Sequence, residues 1–283
     1  WADARKRFLR NKAAVAGLIL LVLIAVFAFV GENIAHWSNE ELDFDVMGVV
    51  AEKGMPSIVN GHYFGTDELG RDLFARTAQG TRISLMVGIV GAAISVIVGT
   101  LYGAISGYVG GRTDQVMMRI VDILLAIPFM FVIILLLVMF GRSIIMLFAG
   151  IGLLSWLNMA RIVRGQTLSL KHKEYIEAAK ASGVSGWKII LRHIVPNLLG
   201  IVAVYATLLV PEMILTESFI SFLGLGVQEP LTSLGALISE GAKGITQGML
   251  WQLGWPLSFF VVTLYAFFFV GDGLRDALDP KDR

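Results

Sequence analysis

Long apolar stretches alternate with short charged ones along this 283-residue chain. The first apolar stretch, residues 13–30, contains no charged residue, and as a helix it would reach ~27 Å, close to the thickness of a bilayer core. Five later stretches are also predicted to span a membrane: residues 83–108, 116–140, 143–160, 197–222 and 255–270. Pro128 is expected to kink the second of these five. The pattern predicts an all-α, polytopic membrane protein with six transmembrane helices.

A cleaved signal peptide is an alternative interpretation of the first stretch, because signal peptides also place a basic segment before an apolar one. Residues 1–12 supply such a basic segment. No clear Ala-x-Ala cleavage site follows, and further spans come later in the chain. A retained helix is therefore favoured.

The polar segments divide the chain into predicted regions. These are an N-terminal segment (1–12), the first transmembrane helix (13–30), an acidic loop (31–81), a five-helix core (82–274) with a polar stretch (173–196) and a glycine-rich connection (223–254), and a tail (275–283).

Basic residues are distributed unevenly between the two sides of these spans. Seventeen of the 23 Lys and Arg residues fall on the side of the N-terminus. Cytoplasmic segments of membrane proteins carry such an excess. Both termini and residues 173–196 are therefore predicted to be cytoplasmic, and residues 31–81 and 223–254 to lie outside.

Composition agrees with the membrane assignment, since 56% of the residues are hydrophobic, only 16% are charged and the mean hydropathy is +0.74. The chain has no cysteine, which excludes disulfides, thiolate metal sites and a cysteine nucleophile. No Gly-Lys dipeptide occurs, so a P-loop is excluded. The four histidines are scattered and form no metal-binding motif. The sequence therefore predicts no catalytic residue and no metal site, and a membrane enzyme is disfavoured.

Small residues recur every four positions in the second span. They are predicted to line one helix face and to let a neighbouring helix approach closely. The residues are Gly91, Ser95, Gly99, Gly103 and Gly107.

Three acidic residues fall within or beside the predicted spans. Because a carboxylate at the bilayer centre costs roughly 2.5–3.5 kcal/mol, Asp122, Glu212 and Glu217 are expected to face protein or a wet cavity. They are candidates for a translocation path, or they lie near the interfaces and pair with Arg or backbone. A glycine-rich cluster at residues 61–72 has two interpretations as well: a surface turn in which Asp67 or Asp72 pairs with Arg71, or part of the transported path.

The polar stretch 173–196 is predicted to form a helix, a turn and a second helix. Residues 174–181 make the first helix, whose alanines keep its surface low, and Gly183 permits the turn. Ser185 can cap the second helix and Pro196 can end it. Four apolar residues are predicted to share one face of the second helix, opposite Lys188 and Arg192: Trp187, Ile190, Leu191 and Ile194.

The residues Glu177-Ala178-Ala179, Gly183 and Ile194-Val195-Pro196 resemble the EAA signature of permease subunits of bacterial ATP-binding cassette (ABC) importers. Five further segments resemble the C-type permeases of the dipeptide and oligopeptide importers, and most closely the oligopeptide permease C subunit: 64–72, 161–183, 192–197, 221–230 and 271–283. The chain departs from its relatives at Leu234, where Trp is common, and at Val195, where Leu is usual.

This resemblance implies a type I ABC importer permease fold in a bacterial inner membrane. It also implies that residues 173–196 form a coupling helix that docks on an ATPase subunit. The coupling residues would be Glu174, Glu177, Ala178, Ala179, Gly183, Trp187 and Pro196. An amphipathic loop resting on lipid headgroups is the alternative for this stretch.

The resemblance further implies a set of partners: a sister permease forming a heterodimer, two ABC ATPases that bind ATP and Mg, a periplasmic peptide-binding protein and membrane lipid, but no nucleic acid. The chain itself would need no cofactor. Oligopeptides are the implied substrate. Dipeptides, nickel or another small solute, and less favourably an ion-coupled secondary transporter, remain alternatives.

Overall fold

The computed structural model of the protein describes residues 2–278, and within that range all regular elements are helical. The helices are α1 (Ala2–Arg10), α2 (Lys12–Ile34), α3 (Val50–Lys53), α4 (Leu73–Val109), α5 (Gly111–Leu125), α6 (Phe129–Phe140), α7 (Ile144–Leu170), α8 (Glu174–Ala181), α9 (Gly186–Ile189), α10 (Val195–Phe222), α11 (Leu234–Gly244) and α12 (Leu250–Leu278). A π-helical turn (Ile190–Ile194) joins α9 to α10, and a 3-10 turn (Ile245–Gln247) follows α11. The predicted all-α fold class is confirmed.

Five of these helical segments are long and apolar enough to cross a membrane, and α5 with α6 forms a sixth, bent segment. The axes of α5 and α6 differ by 72°. The bend lies at Pro128, where a kink is predicted from the sequence, because proline has no N–H to continue the helical hydrogen bonds.

The packing of α4 against α7 decides that the bent segment crosses the bundle. Facing residues keep a constant offset of 60 in sequence, so the two helices run parallel: Gly91 with Ile151, Ser95 with Ser155, Gly99 with Met159, Gly103 with Val163 and Gly107 with Thr167. Two consecutive parallel crossings require the chain to return between them. The α5–α6 pair makes that return, which gives six crossings in all.

Several helices extend beyond the apolar stretches that predicted them. α4 begins at Leu73 rather than after Thr81, because Asp72 caps it by accepting a hydrogen bond from Ala75 N at 2.8 Å. The loop predicted at 31–81 is therefore a loop segment at 35–72.

α7 continues to Leu170 and α12 starts at Leu250, so both helices are longer than the spans predicted at 143–160 and 255–270. The connection predicted at 223–254 contains α11. Residues 275–278 of the predicted tail continue α12, and the rest of that tail lies outside the described residues.

The stripe of small residues lies along the seam between α4 and α7. A Cβ added to Gly103 would stand 2.4 Å from Ala160 O, and one added to Gly107 would stand 2.8 Å from Thr167 Cβ. Ser95 Oγ donates a hydrogen bond to Ser155 O at 2.8 Å. Backbones this close leave no room for larger side chains.

We expect Gly103→Ala to destabilise the bundle by about 1–3 kcal/mol, because the added methyl group would force α4 and α7 apart. Thermal inactivation of the purified protein in detergent would measure the loss. Gly165→Ala in α7 is the matched control, because a Cβ there meets nothing within 4 Å. If both changes had the same effect on thermal inactivation, the close approach of α4 and α7 at Gly103 would not be required for stability.

Candidate functional site

α8 and the turn after it form a compact unit at the end of the bundle where α1 lies. The turn is a Schellman motif: Val184 N donates to Ala179 O at 3.1 Å, and Gly183 N donates to Lys180 O at 3.0 Å. Gly183 has a φ of +78°, a conformation that costs other residues free energy. We call residues 174–194 the coupling unit.

Buried isoleucines fix the coupling unit to the bundle. Ile176 of α8 and Ile189 of α9 are fully buried. They pack in one cluster with Met159 and Val163 of α7 and Leu198 of α10. Movement of the unit would therefore be transmitted to α7 and α10.

The apolar face predicted for the second helix is only partly correct. Ile190 and Ile194 are buried, whereas Trp187 is 54% exposed and Leu191 is 41% exposed. Ile189 occupies an inner position, because the π-helical turn is wider than an α-helical one and shifts the periodicity of the helix.

Pro196 does not end this helix, contrary to the prediction. It lies in the first turn of α10, and helical structure runs from Gly186 to Phe222 without interruption. Proline is tolerated there because the π-helical turn before it leaves room for its ring, and a first-turn residue needs no N–H donor. Asn197 Nδ2 donates to His193 O at 2.5 Å, which satisfies one carbonyl of that turn.

The outer surface of the coupling unit carries most of the residues that the resemblance implies. Glu174, Glu177, Ala178 and Gly183 are exposed, while Ala179 is half-buried against the cluster beneath it. Within the described residues, no side chain pairs with Glu177. Ser185 stands at the N-cap position of α9, but its side chain makes no capping bond. The outer surface of α8 carries small side chains, is acidic in the first turn of the helix and is accessible to a partner.

Contacts with the end of α4 hold the unit from a second side. Lys180 Nζ lies 5.2 Å from the ring centroid of Tyr108, and a Cβ on Gly186 would stand 3.0 Å from the same ring. Lys171 Nζ donates to Gly107 O at 3.0 Å. Sequence reasoning missed these contacts because they join residues far apart in the chain.

A buried ionic cluster joins three helices beside the coupling unit, and sequence reasoning missed it too. Asp114, at the start of α5, accepts two hydrogen bonds of 2.6 Å from Arg164 of α7. Ser106 of α4 donates a third bond, also of 2.6 Å. Arg164 was visible in the sequence only as one of the many basic residues on this side.

The three acidic residues considered for a translocation path lie in different settings. Asp122 pairs with Arg161 at 2.5 Å, and both side chains are 49% exposed. Glu217 is fully buried and accepts hydrogen bonds from Ser84 Oγ (2.9 Å) and Ser221 Oγ (2.7 Å).

Glu217 therefore joins α10 to α4 within the chain, where three serine hydroxyls enclose it. Glu212 is exposed, in a cavity of about 200 Å³ beside the α5–α6 break. The structure does not bring the three acids together.

The glycine-rich cluster at 61–72 is part of the loop segment, and its charged residues belong to a network of ion pairs. Asp67 pairs with Arg71 at 2.7 Å, which agrees with the surface-turn interpretation, and it also pairs with Arg76 of α4. Arg71 pairs with Glu229, and Arg76 with Glu240 of α11, each at 2.7 Å. The loop segment is thus fixed to α4 and to the region of α11.

His62 lies buried between two carboxylates of the same loop segment. Its Nδ1 is 2.9 Å from Asp72 Oδ1 and its Nε2 is 3.3 Å from Asp43 Oδ2, while its ring stacks on Trp37. Burial alone would lower the pKa of His62, but the hydrogen bonds and charges of Asp72 and Asp43 outweigh it, so the pKa is raised.

We expect the loop segment to lose stability as the pH rises through the raised pKa of His62. A raised pKa in the folded state contributes stability that is complete below the ordinary pKa and is lost at higher pH. The rate of proteolytic cleavage within residues 35–72 should therefore be higher at pH 8.5 than at pH 6, after correction for protease activity. His62→Gln should abolish this difference, and a difference that persists in the variant would exclude His62 as its origin.

Comparisons with known proteins now identify the family. Residues 99–283, which include the coupling unit and the last two spans, match the model of the binding-protein-dependent transport system inner membrane component. The chain belongs to this family. Its members are transport permease subunits of ABC importers, so the resemblance given by the EAA-like residues is confirmed. Residues 1–47 match a second model, the N-terminal TM domain of oligopeptide transport permease C.

Curated relatives of this permease cover the whole chain. It is 59% identical over 283 residues to the oligopeptide transport system permease protein OppC of Escherichia coli (strain K12), covering 100% of this chain and 92% of that protein. It is 56% identical to OppC of Haemophilus influenzae, covering 100% and 89%. It is 43% identical to the dipeptide transport system permease protein DppC of Bacillus subtilis, covering 99% and 86%.

A solved structure supports the permease fold. The permease chain resembles a chain of the MetNI methionine ABC transporter in an inward-facing conformation, with a TM-score of 0.57 and 17% identity. The match covers 71% of this chain and 94% of that chain. At this identity the likeness shows the fold alone, and it confirms the predicted type I importer architecture.

Proposed function

We propose that this permease forms one half of the translocation pathway of an ATP-driven oligopeptide importer, and that its coupling unit docks on a separate ATPase subunit. The other half of the pathway would come from a sister permease in a heterodimer. Two ABC ATPases would bind ATP and Mg, and a periplasmic binding protein would deliver the peptide. Both termini and the coupling unit would face the cytoplasm, in agreement with the 17 of 23 basic residues on that side.

The observation that carries the coupling proposal is the two-sided construction of the coupling unit. Its outer side offers exposed Glu177, Ala178 and Trp187, on which a partner can close. Its inner side buries Ile176 and Ile189 against α7 and α10. A solvated loop on lipid headgroups would not need this fixed connection to the bundle.

The mechanism follows from these connections. Closure of the ATPases would move the coupling unit as one body, and α7 and α10 would tilt with it because their residues share its buried cluster. Gly183 provides a turn between α8 and α9, whereas the uninterrupted helix from Gly186 to Phe222 would carry the motion directly into the membrane.

Exposed polar residues on α5, α7 and α10 support the proposed half-pathway. Asp122 and Arg161 border the α5–α7 seam. Asn158 of α7 lines the same cavity as Glu212 of α10. By contrast, the exposed large side chains of α2 are apolar, which suits lipid. A pathway shared with a sister chain would keep the polar residues away from lipid.

Oligopeptides are the proposed substrates because the oligopeptide permeases of E. coli and H. influenzae are 59% and 56% identical to this chain. Dipeptides are the second candidate class of substrates, because the dipeptide permease of B. subtilis is 43% identical to this chain. Uptake of labelled peptides of graded length, by cells lacking only this subunit and by the same cells after complementation, would test the substrate. Uptake of nickel or another small solute instead of peptides would overturn it, and uptake without ATP would overturn the proposed mechanism.

A further inference from the structure

Among the acidic residues at membrane depth in the described chain, Glu212 stands out because its carboxylate has no partner there. Asp122 has Arg161 and Glu217 has three serines. Phe222, the last residue of α10, lies ~15 Å further along the helix, which places Glu212 near the middle of the span. An ionised carboxylate at that depth costs roughly 2.5–3.5 kcal/mol on insertion scales, so its position calls for a functional explanation.

The cavity in front of Glu212 suits a cation. It measures about 200 Å³ and lies between α7, α10 and the break between α5 and α6. Ser155 and Asn158 are its other polar residues, and no Lys, Arg or His lines it. The remaining lining residues are apolar.

The broken helix adds negative potential to the same cavity. α5 ends at Leu125, whose carbonyl, like that of Ala126, receives no backbone N–H within the described residues. The carboxyl end of a helix carries a partial negative charge. Leu125 and Pro128 line the cavity, so the end of α5 and the carboxylate of Glu212 act on the same space. Discontinuous membrane helices elsewhere use such ends to coordinate cations.

We propose that Glu212 binds the protonated amino terminus of the peptide during translocation, an inference that rests on the proposed oligopeptide function. Every peptide with a free amino terminus carries this ammonium group near pH 7, whatever its sequence. The ammonium donates to the Glu212 carboxylate, with Asn158 and the end of α5 as further acceptors, while the apolar walls pack against the first side chain. The size of the cavity limits it to the amino-terminal residue rather than a whole oligopeptide.

The test compares two lysine-free tripeptides in proteoliposomes that contain the complete transporter: one with a free amino terminus and one in which hydrogen replaces the amino group. Both are supplied at saturating occupancy of the binding protein, which is measured separately. We expect the wild type to import the free-amine peptide about tenfold faster, the scale of a hydrogen bond to a charged group. Glu212→Gln should bring the two rates together, and Glu212→Asp should restore part of the difference.

Thr216→Val is the matched control. Thr216 lies one turn further along α10, and its hydroxyl bonds only to the helix backbone, at Glu212 O. This variant should discriminate between the two peptides as the wild type does. Copurification of all subunits with the Glu212→Gln variant shows that its loss of discrimination is not a loss of assembly.

Three outcomes would overturn the inference. An assembled Glu212→Gln variant that still discriminates would show that Glu212 does not bind the amino terminus. A variant that fails to copurify with the sister permease would assign Glu212 to the subunit interface. If an amine-free peptide that carries a lysine side chain is imported as fast as the free-amine peptide, the site binds alkylammonium groups in general rather than the amino terminus. If the wild type imports no peptide at all, the proposed function fails instead.

Discussion

Glu177→Lys should reduce peptide uptake by at least about tenfold while the protein still inserts into the membrane at normal levels. Glu177 lies in the first turn of α8, where the helix dipole favours a negative charge, and it faces outward without a partner in the described chain. Reversing its charge on a surface that docks against the ATPase would repel the complementary group there and leave it unpaired. Copurification of the ATPase and stimulation of its hydrolysis would fall together with uptake.

Glu52→Lys is the matched control for this result. It makes the same change of charge on exposed α3, at the opposite end of the bundle, and should leave ATPase binding unchanged. Gly183→Val should resemble Glu177→Lys for a different reason: no atom would clash with the new Cβ, but valine resists the +78° φ that the Schellman turn requires. Normal ATPase binding and uptake with both changes would refute the assignment of the coupling unit.

The sequence predicted those parts of the fold that depend on local patterns. Apolar length identified the spans, the four-residue spacing of small residues identified the face of α4 that meets α7, and Pro128 marked the break between α5 and α6. The turn at Gly183 was predicted because glycine has more backbone freedom than other residues, and Gly183 indeed has a positive φ. Each of these signals is contained within a few turns of the chain.

The predictions from the sequence were wrong where contacts between distant residues determine the local structure. α7 continues past Ala160 although arginines follow, because Arg161 and Arg164 pair with acids of α5 rather than facing lipid. Pro196 was expected to end a helix, but a π-helical turn accommodates it, and that turn also moved Trp187 to the surface. No periodicity in the sequence announces a π-helical turn.

The candidate site likewise has one part that could be predicted from the sequence and one part that could not. Its outer surface could be recognised from a contiguous pattern around Glu177 and Gly183. Its supports, Tyr108 and the cluster of Asp114 with Arg164, join segments that lie about 50 or more residues apart, and no short-range spacing relates them. The part of the site that transmits motion is therefore the part that required the structure.

Asp114→Leu should destabilise the protein by about 2–3 kcal/mol, because it leaves Arg164 and Ser106 without their shared acceptor. This is less than the 3–5 kcal/mol expected for a fully buried pair, since the Arg164 side chain is 34% exposed. The loss would lower the thermal inactivation temperature of the purified complex by roughly 5 °C. Arg164→Leu should cost a similar amount, and the double variant should cost less than the sum of the two, because each single change leaves a charge unpaired.

The Asp122–Arg161 pair provides the control, since it joins the same two helices but is 49% exposed on both sides. Removing Asp122 should cost at most about 1 kcal/mol, the range of solvent-exposed pairs. Strictly additive losses at Asp114 and Arg164, or equal losses at the two pairs, would contradict a special role for the buried cluster. If the expected difference is found, the start of α5 is held to α4 and α7 beside the coupling unit, so that α4 and α5 would move together with α7 when the unit moves.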